Sequence, residues 1–160
     1  MNQYCVIVAN GTKTRFFTLE NSEFPEIESS PTLVETNTVV HPDHDAHHAK
    51  SPRAEELNVS AKAQKPGYSK AASQAHDRRY VKNIANEASK LNQAQHISAL
   101  VLVSQKRMLG DLRSAMKNKL QGVNTLELAK DLSKLSPWEL HNYLAKEKLL
   151  PERKKPTHTH

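Results

Sequence analysis

The five residues Ala99-Leu100-Val101-Leu102-Val103 make a continuous apolar run between Ser98 and Ser104. A run this short, rich in Val and Leu and without polar alternation, reads as a strand buried on both faces. Such a strand needs a covering layer above and below it. After Ser104 the period changes: Met108 or Leu109, Leu112, Met116 and Leu120 recur at three and four residues, so the strand delivers the chain into an amphipathic helix ending near Leu120. Gln121-Gly122 then closes that helix as a glycine C-cap does. A buried strand feeding a helix implies an α/β fold, here a single layered domain with a mixed sheet flanked by helices.

The rest of the chain fills in around this unit. Tyr4 to Ala9 is apolar, Asn10-Gly11 follows, and Thr14 to Leu19 is again β-rich, which predicts an opening hairpin with a type I′ turn. Phe24 to Val34 offers a third strand that Pro25 and Pro31 confine to an edge. From Glu35 to about Gln74 no period survives, and a long flexible loop over about 35–73 is expected. A helix begins near Ser73 to Asp77, with Val81, Ile84, Ala85, Ala88 and Leu91 on one stripe. Val123 to Leu128 reads as a further strand. Ser136-Pro137-Trp138-Glu139 has Ser at the N-cap, Pro at N1 and Glu at N3, so a capping box should start a helix at Pro137. That helix should run to about Leu149, burying Leu140, Tyr143 or Leu144, and Trp138. The expected domain is therefore 1–150, with 151–160 a disordered basic tail.

Composition supports a partly solvated chain: 37% of its 160 residues are hydrophobic and the mean hydropathy is −0.70. The N-terminus lacks the basic region and long apolar stretch of a secretory signal, and no segment approaches the length needed to span a bilayer. Cys5, the single cysteine, lies inside the first strand as a core residue and permits no internal disulfide. A soluble, cytoplasmic protein without membrane insertion is expected. The net charge of +6 is unevenly spread: residues 1–49 carry two basic and seven acidic groups, and residues 50–82 carry eight and three. Positive charge concentrated after the first third attracts polyanions, of which nucleic acid is the usual one.

Two clusters are candidates for chemistry. Lys62, Lys65, Lys70, Arg78, Arg79 and Lys82, with Tyr68 interleaved, could grip phosphates while the tyrosine stacks on a base. The same residues also suit a solvated loop and helix face. His41, His44, His47 and His48, with Asp43 and Asp45, have spacings that can gather imidazoles around a metal. Pro42 interrupts them and no supporting shell is visible, so a polar loop is the stronger reading and no metal or other cofactor is expected. The apolar strand carries no carboxylate, which leaves little basis for a two-metal nuclease. Asp111 and Arg113 read as structural residues, able to form a surface or inter-element pair.

Three segments, taken in order, resemble a known family: Val8 to Phe17, Leu100-Val101-Leu102-Val103 through Leu109-Gly110-Asp111-Leu112-Arg113, and Ala129-Lys130-Asp131-Leu132. They are similar to the bacterial proteins required for attachment to host cells, over roughly Tyr4 to Leu144. That name reports a phenotype and no chemistry. The family in turn resembles the central domain of archaeal and eukaryotic peptide-chain release factors, an RNase H-like α/β domain. Asn10 stands where relatives often carry Asp, and both are turn formers. In release factors the loop before the first long helix carries Gly-Gly-Gln. Here the matching stretch, Gln64 to Gln74, has none, and the Cβ-bearing Ala72 and Ser73 before Gln74 lack the backbone freedom of a glycine pair. The resemblance thus implies a non-catalytic protein that binds the ribosome or structured RNA through a basic loop and helix. A module binding a protein partner, affecting attachment indirectly, is the alternative, and a hydrolase of peptidyl-tRNA or RNA a more distant one.

Overall fold

The computed structural model describes residues 3–21, 24, 30–42 and 66–154, with the side chains of 66–74 excepted. Five strands, β1 (Tyr4–Ala9), β2 (Lys13–Glu20), β3 (Thr32–Val40), β4 (Ala99–Ser104) and β5 (Asn124–Ala129), form one sheet in the order β3-β2-β1-β4-β5. Among the described residues three helices cover it: α1 (Pro66–Gln95), α2 (Lys106–Lys119) and α3 (Pro137–Lys146). The first two strand pairings are antiparallel, while β1–β4 and β4–β5 are parallel. This is the mixed, helix-flanked α/β sheet expected from the run at Ala99.

Alternation along the two central strands sorts the core into two layers. Cys5, Ile7 and Ala9 of β1 with Leu100 and Leu102 of β4 meet Tyr80, Ile84 and Ala88 of α1 and Leu109, Leu112 and Met116 of α2. On the other face Val6, Val8, Val101 and Val103 pack with Phe17, Leu33, and Leu140 and Leu144 of α3. Each large side chain so buried is worth about 1.5–3 kcal/mol of transfer free energy. Ser136 caps α3 as read: its hydroxyl accepts from Glu139 N at 3.2 Å and the Glu139 carboxylate accepts from Ser136 N at 3.1 Å.

Several boundaries differ from expectation, each for a local reason. Neither Asn10 nor Gly11 takes a positive φ. The hairpin turns on the Asn10 side chain instead, whose Oδ1 accepts from the backbone N–H groups of Thr12 (2.8 Å) and Lys13 (2.9 Å). The third strand is Thr32–Val40, which shares 32–34 with the expected Phe24 to Val34, of which 25–29 lie outside the described residues, and residues 35–40 of the expected loop are strand. The pairing of β2 with β3 shifts register between Phe16 and Phe17, leaving Thr36 as an extra residue. This bulge reverses the parity of the strand. Before it, Leu33 packs into the α3 layer and Glu35 pairs with Arg15; after it, Val39 packs against the α1 layer and Asn37 hydrogen-bonds Glu87 of α1. A strand that changes face midway shows no period of two.

The helix expected near Ser73 begins earlier, at Pro66, which places Gln74 within it, and residues 43–65 of the expected loop lie outside the described residues. Helix α3 stops at Lys146, short of Leu149, where Lys148 adopts a φ of 63°. Of the expected tail, residues 155–160 lie outside the described residues, and 151–154 are docked on the domain. Ser30 and Lys154 exchange two backbone hydrogen bonds, at 3.2 and 2.9 Å. His141, buried in α3, donates from Nε2 to the Pro151 carbonyl (2.9 Å), which leaves Nδ1 to accept from Arg153 at 3.4 Å. Burial, offset in part by that bond to Pro151, holds the His141 pKa below its ordinary value. Trp138, expected in the core, is 58% exposed and lies under the Arg153 guanidinium, 3.5 Å from its ring centroid.

Replacing Ser136 with Ala should lower stability by about 1 kcal/mol, read as a shifted denaturation midpoint with an unchanged slope. Arg15 binds Glu35 through two nitrogens (2.8 and 3.2 Å) and also donates to the carbonyls of Ser133 and Leu135, tying β2 to β3 and to the segment before α3. The hydrogen bonds from Arg15 hold the Glu35 carboxyl below its usual pKa. A pKa lowered in the folded state gives stability that is complete above the ordinary carboxylate range and is lost as pH falls through the lowered value. Glu35→Gln should therefore destabilise the protein at neutral pH and match it in strong acid, as thermal unfolding across a pH series would show.

Candidate functional site

The parallel strands β1 and β4 end side by side, and their continuations diverge. At Asn10 the chain turns back into β2, while Ser104 leads through Gln105 into α2. Divergence at the carboxyl ends of neighbouring parallel strands opens a crevice, which is where open α/β sheets bind ligands. Here it is a cavity of about 260 Å³ lined by Asn10, Gly11, His41, Asp77, Tyr80, Val81, Ser104, Gln105, Arg107, Met108 and Asp111.

Its walls are built from hydrogen bonds. The Tyr80 hydroxyl donates to the Asn10 carbonyl at 2.9 Å. Its one proton is thereby used, so Thr14 Oγ1, 2.7 Å away, donates to it. Burial pushes the Tyr80 phenol up to about 12, and the Thr14 bond opposes that only in part. His41 reaches the crevice because the bulge at Thr36 turned its strand over. Its backbone N–H donates to the Thr12 carbonyl at 2.8 Å, its ring tilts against Tyr80 with centroids 4.8 Å apart, and Nε2 lies 2.8 Å from Asp77 Oδ1. An ionised carboxylate only accepts, so Nε2 carries the proton in that bond.

The opposite wall is the start of α2. Ser104 lies on the same face of β4 as Leu100 and Leu102, is 1% exposed, and its hydroxyl makes no hydrogen bond with any described residue. Gln105, the N-cap, contributes no side-chain cap, and the first turn holds Lys106 and Arg107 and no acidic residue. Met108 and Leu109 donate to the Gln105 carbonyl at 3.0 and 3.1 Å, which leaves the N–H groups of Lys106 and Arg107 without a backbone acceptor among the described residues.

Among the described residues no Ser-His-Asp relay is formed. A Ser-His-Asp relay needs its histidine bonded to the serine, whereas His41 holds Asp77 and the Ser104 hydroxyl has no such partner. Cys5 is sealed in the core, and burial pushes its thiol up to about 12.

The crevice continues into a groove of about 470 Å³ between α1 and α2. Asp77, Val81 and Asp111 line both, and Arg78, Lys82, Ala85, Ser114, Ala115, Asn118 and Lys119 line the groove alone. Its small residues leave space between the helices and its rim is basic. Over 75–95 of α1 and all of α2 there are nine Lys and Arg against three Asp and Glu.

Of the basic set read from the sequence, Arg78, Arg79 and Lys82 are exposed on α1, and Arg78 and Lys82 face the groove. Tyr68 and Lys70 fall on the first turns of α1, their side chains outside the description, and Lys62 and Lys65 lie outside the described residues. Of the histidine group, His41 lies in the crevice with Nε2 2.8 Å from Asp77 Oδ1, while Asp43, His44, Asp45, His47 and His48 lie outside the described residues. Among the described residues no three His, Cys, Asp or Glu side chains gather as metal ligands. Arg113 does pair between elements, but with Glu127 of β5 through two 2.6 Å bonds, and Asp111 lines the crevice. Sequence reasoning missed Asp77, Tyr80, Ser104 and Arg107. The visible signal was a buried strand ending in Ser and followed by Lys-Arg where a helix start prefers acid. Tyr80→Phe should cost about 1–3 kcal/mol by leaving the Asn10 carbonyl and Thr14 hydroxyl unpaired. Adding Thr14→Val should cost less than the sum of the single changes, a coupling that denaturant unfolding of the four proteins would measure.

Among solved structures, RuvC from Thermus thermophilus superposes with a TM-score of 0.45 at 12% identity, covering 98% of this chain and 85% of that one. A chain of a CRISPR-Cas12f ternary complex superposes with a TM-score of 0.45 at 10% identity, covering 98% of this chain and 37% of that one. Likenesses this distant carry no functional argument. No curated protein matches the chain. A family model described as "Protein required for attachment to host cells" matches residues 5–144, from the first core residue of β1 to the last fully buried leucine of α3. With its fold and crevice contained in that span, the chain belongs to the family of proteins required for attachment to host cells.

Proposed function

We propose that this protein binds structured RNA, the ribosome included, along the groove between α1 and α2, without catalysing a reaction. The observation that carries the reading is the continuity of groove and crevice beneath a rim of Arg78, Lys82, Lys119 and Arg107. Spaced cations along a trough match the spaced phosphates of a strand, and such contacts supply affinity before any base is read. Asp77 and Asp111 within the trough break the positive field, so a strand has to follow the basic rim. The bound Asp77 and idle Ser104 support binding over hydrolysis. A cytoplasmic location fits this partner, and among the described residues no helix is long and apolar enough to cross a membrane.

A protein partner is the second reading. It is favoured by β3, which lies at the edge of the sheet among the described residues and exposes Val34 and Val40. Attachment to host cells would then depend on this chain through its partner.

Cosedimentation with ribosomes over a salt series separates the two. RNA binding predicts an affinity that falls steeply with salt, and Arg78→Glu with Arg79→Glu and Lys82→Glu should abolish it while leaving the fold intact. Removing two groove cations alone, as Arg78→Ala with Lys82→Ala, should reduce the salt slope by about 1.4 to 1.8. Binding that ignores salt, or survives the triple charge reversal, would refute the RNA reading.

A further inference from the structure

A buried hydroxyl without a partner is uncommon, because leaving it unpaired costs free energy that a partner or an apolar replacement would recover. Among the described residues Ser104 is such a group, 1% exposed, and it lines the crevice. Next to it stands a second anomaly, independent of the first. Helix starts favour acidic residues, which complement the positive end of the helix dipole, and α2 instead begins Lys106-Arg107 with no side-chain cap. Both features raise the energy of the protein alone, and both are relieved by one kind of occupant, an anion with several acceptor oxygens.

We propose that the crevice is a phosphate subsite. The Ser104 hydroxyl, the N–H groups of Lys106 and Arg107 that lack a backbone acceptor, and the Arg107 guanidinium supply the donors, and the α2 dipole adds favourable potential. At about 260 Å³ the cavity holds a phosphate and part of the group it esterifies. Two carboxylates face the same space. Asp77 is engaged by His41 at 2.8 Å, whereas Asp111, exposed one turn along α2 from Arg107, has no partner in any described hydrogen bond or ion pair. It weakens the subsite and sets the sign of one test. This inference does not require a strand in the groove, since the phosphate can come from a free nucleotide or from the end of a nucleic acid.

The test is an amide NMR titration of the full chain with inorganic phosphate, repeated on three variants. Phosphate should shift the amides of Ser104, Lys106 and Arg107 at millimolar concentration. Ser104→Ala should weaken binding about tenfold without loss of stability, since it deletes only an unpaired hydroxyl. Arg107→Glu should abolish binding and leave Tm within about 2 °C, because the gain against the helix dipole is offset by a new like charge one turn from Asp111. Asp111→Asn should tighten binding about two- to fivefold. Loss of binding alongside unchanged or improved stability excludes unfolding as the cause. The source follows from two further probes: tighter binding of a mononucleotide than of inorganic phosphate assigns a free nucleotide, and tighter binding of an end-phosphorylated oligonucleotide than of its dephosphorylated twin assigns a strand end. Amides that stay still at tens of millimolar phosphate, or affinity indifferent to Ser104→Ala, overturn the proposal.

Discussion

Strand β1 is hydrogen-bonded on both sides to neighbours of opposite sense, antiparallel to β2 and parallel to β4. An antiparallel neighbour can be reached through a short turn, but a parallel one requires a crossover long enough to carry the chain back to the same end. The crossover here includes α1, which covers one face of β1 and β4 and forces the second cover, α3, to come from after β5. The residues Cys5 to Ala9 are sealed on both faces as a result. The crevice has the same origin, because a strand with one turning neighbour and one continuing neighbour must leave a gap where their paths part.

How much of this could be read from the residues alone depended on whether a side chain reports its own environment. Ala99 to Val103 did, since only a doubly covered strand dispenses with polar alternation, and Ser136 with Glu139 did because a capping box is a local hydrogen-bond pattern. Thr32 to Val40 did not. Its bulge inverts the pattern halfway, and an edge strand with mostly exposed residues has little apolar content to display. Tyr80 escaped for a different reason: it sits among Asp77, Arg78, Arg79 and Lys82, and its burial depends on Thr14 and Asn10, more than sixty residues away. The crevice was illegible in the same way, because its walls come from the β1–β2 turn, the end of β4, α1, α2 and the residue after β3, brought together only by the sheet order.

The balance of charge within the trough is finer than the net charge implies. Basic residues dominate the helix faces, yet two of the three acids on them, Asp77 and Asp111, lie along the trough itself, where they limit how much of it an anion can occupy. His41 masks one of them and leaves the other open. The groove and crevice therefore present alternating potential, a pattern that selects for the spacing of an anionic partner more than for its total charge.

Arg153 over Trp138 has a practical consequence. The chain holds a single tryptophan, and it lies on the surface against the segment after α3 instead of in either core layer. Its emission is a local reporter of whether that segment is docked, and it is insensitive to looseness in the α1–α2 layer on the far side of the sheet. Fluorescence and circular dichroism would thus follow different parts of this molecule, and agreement between them on heating would show that the C-terminal strap and the helices let go together.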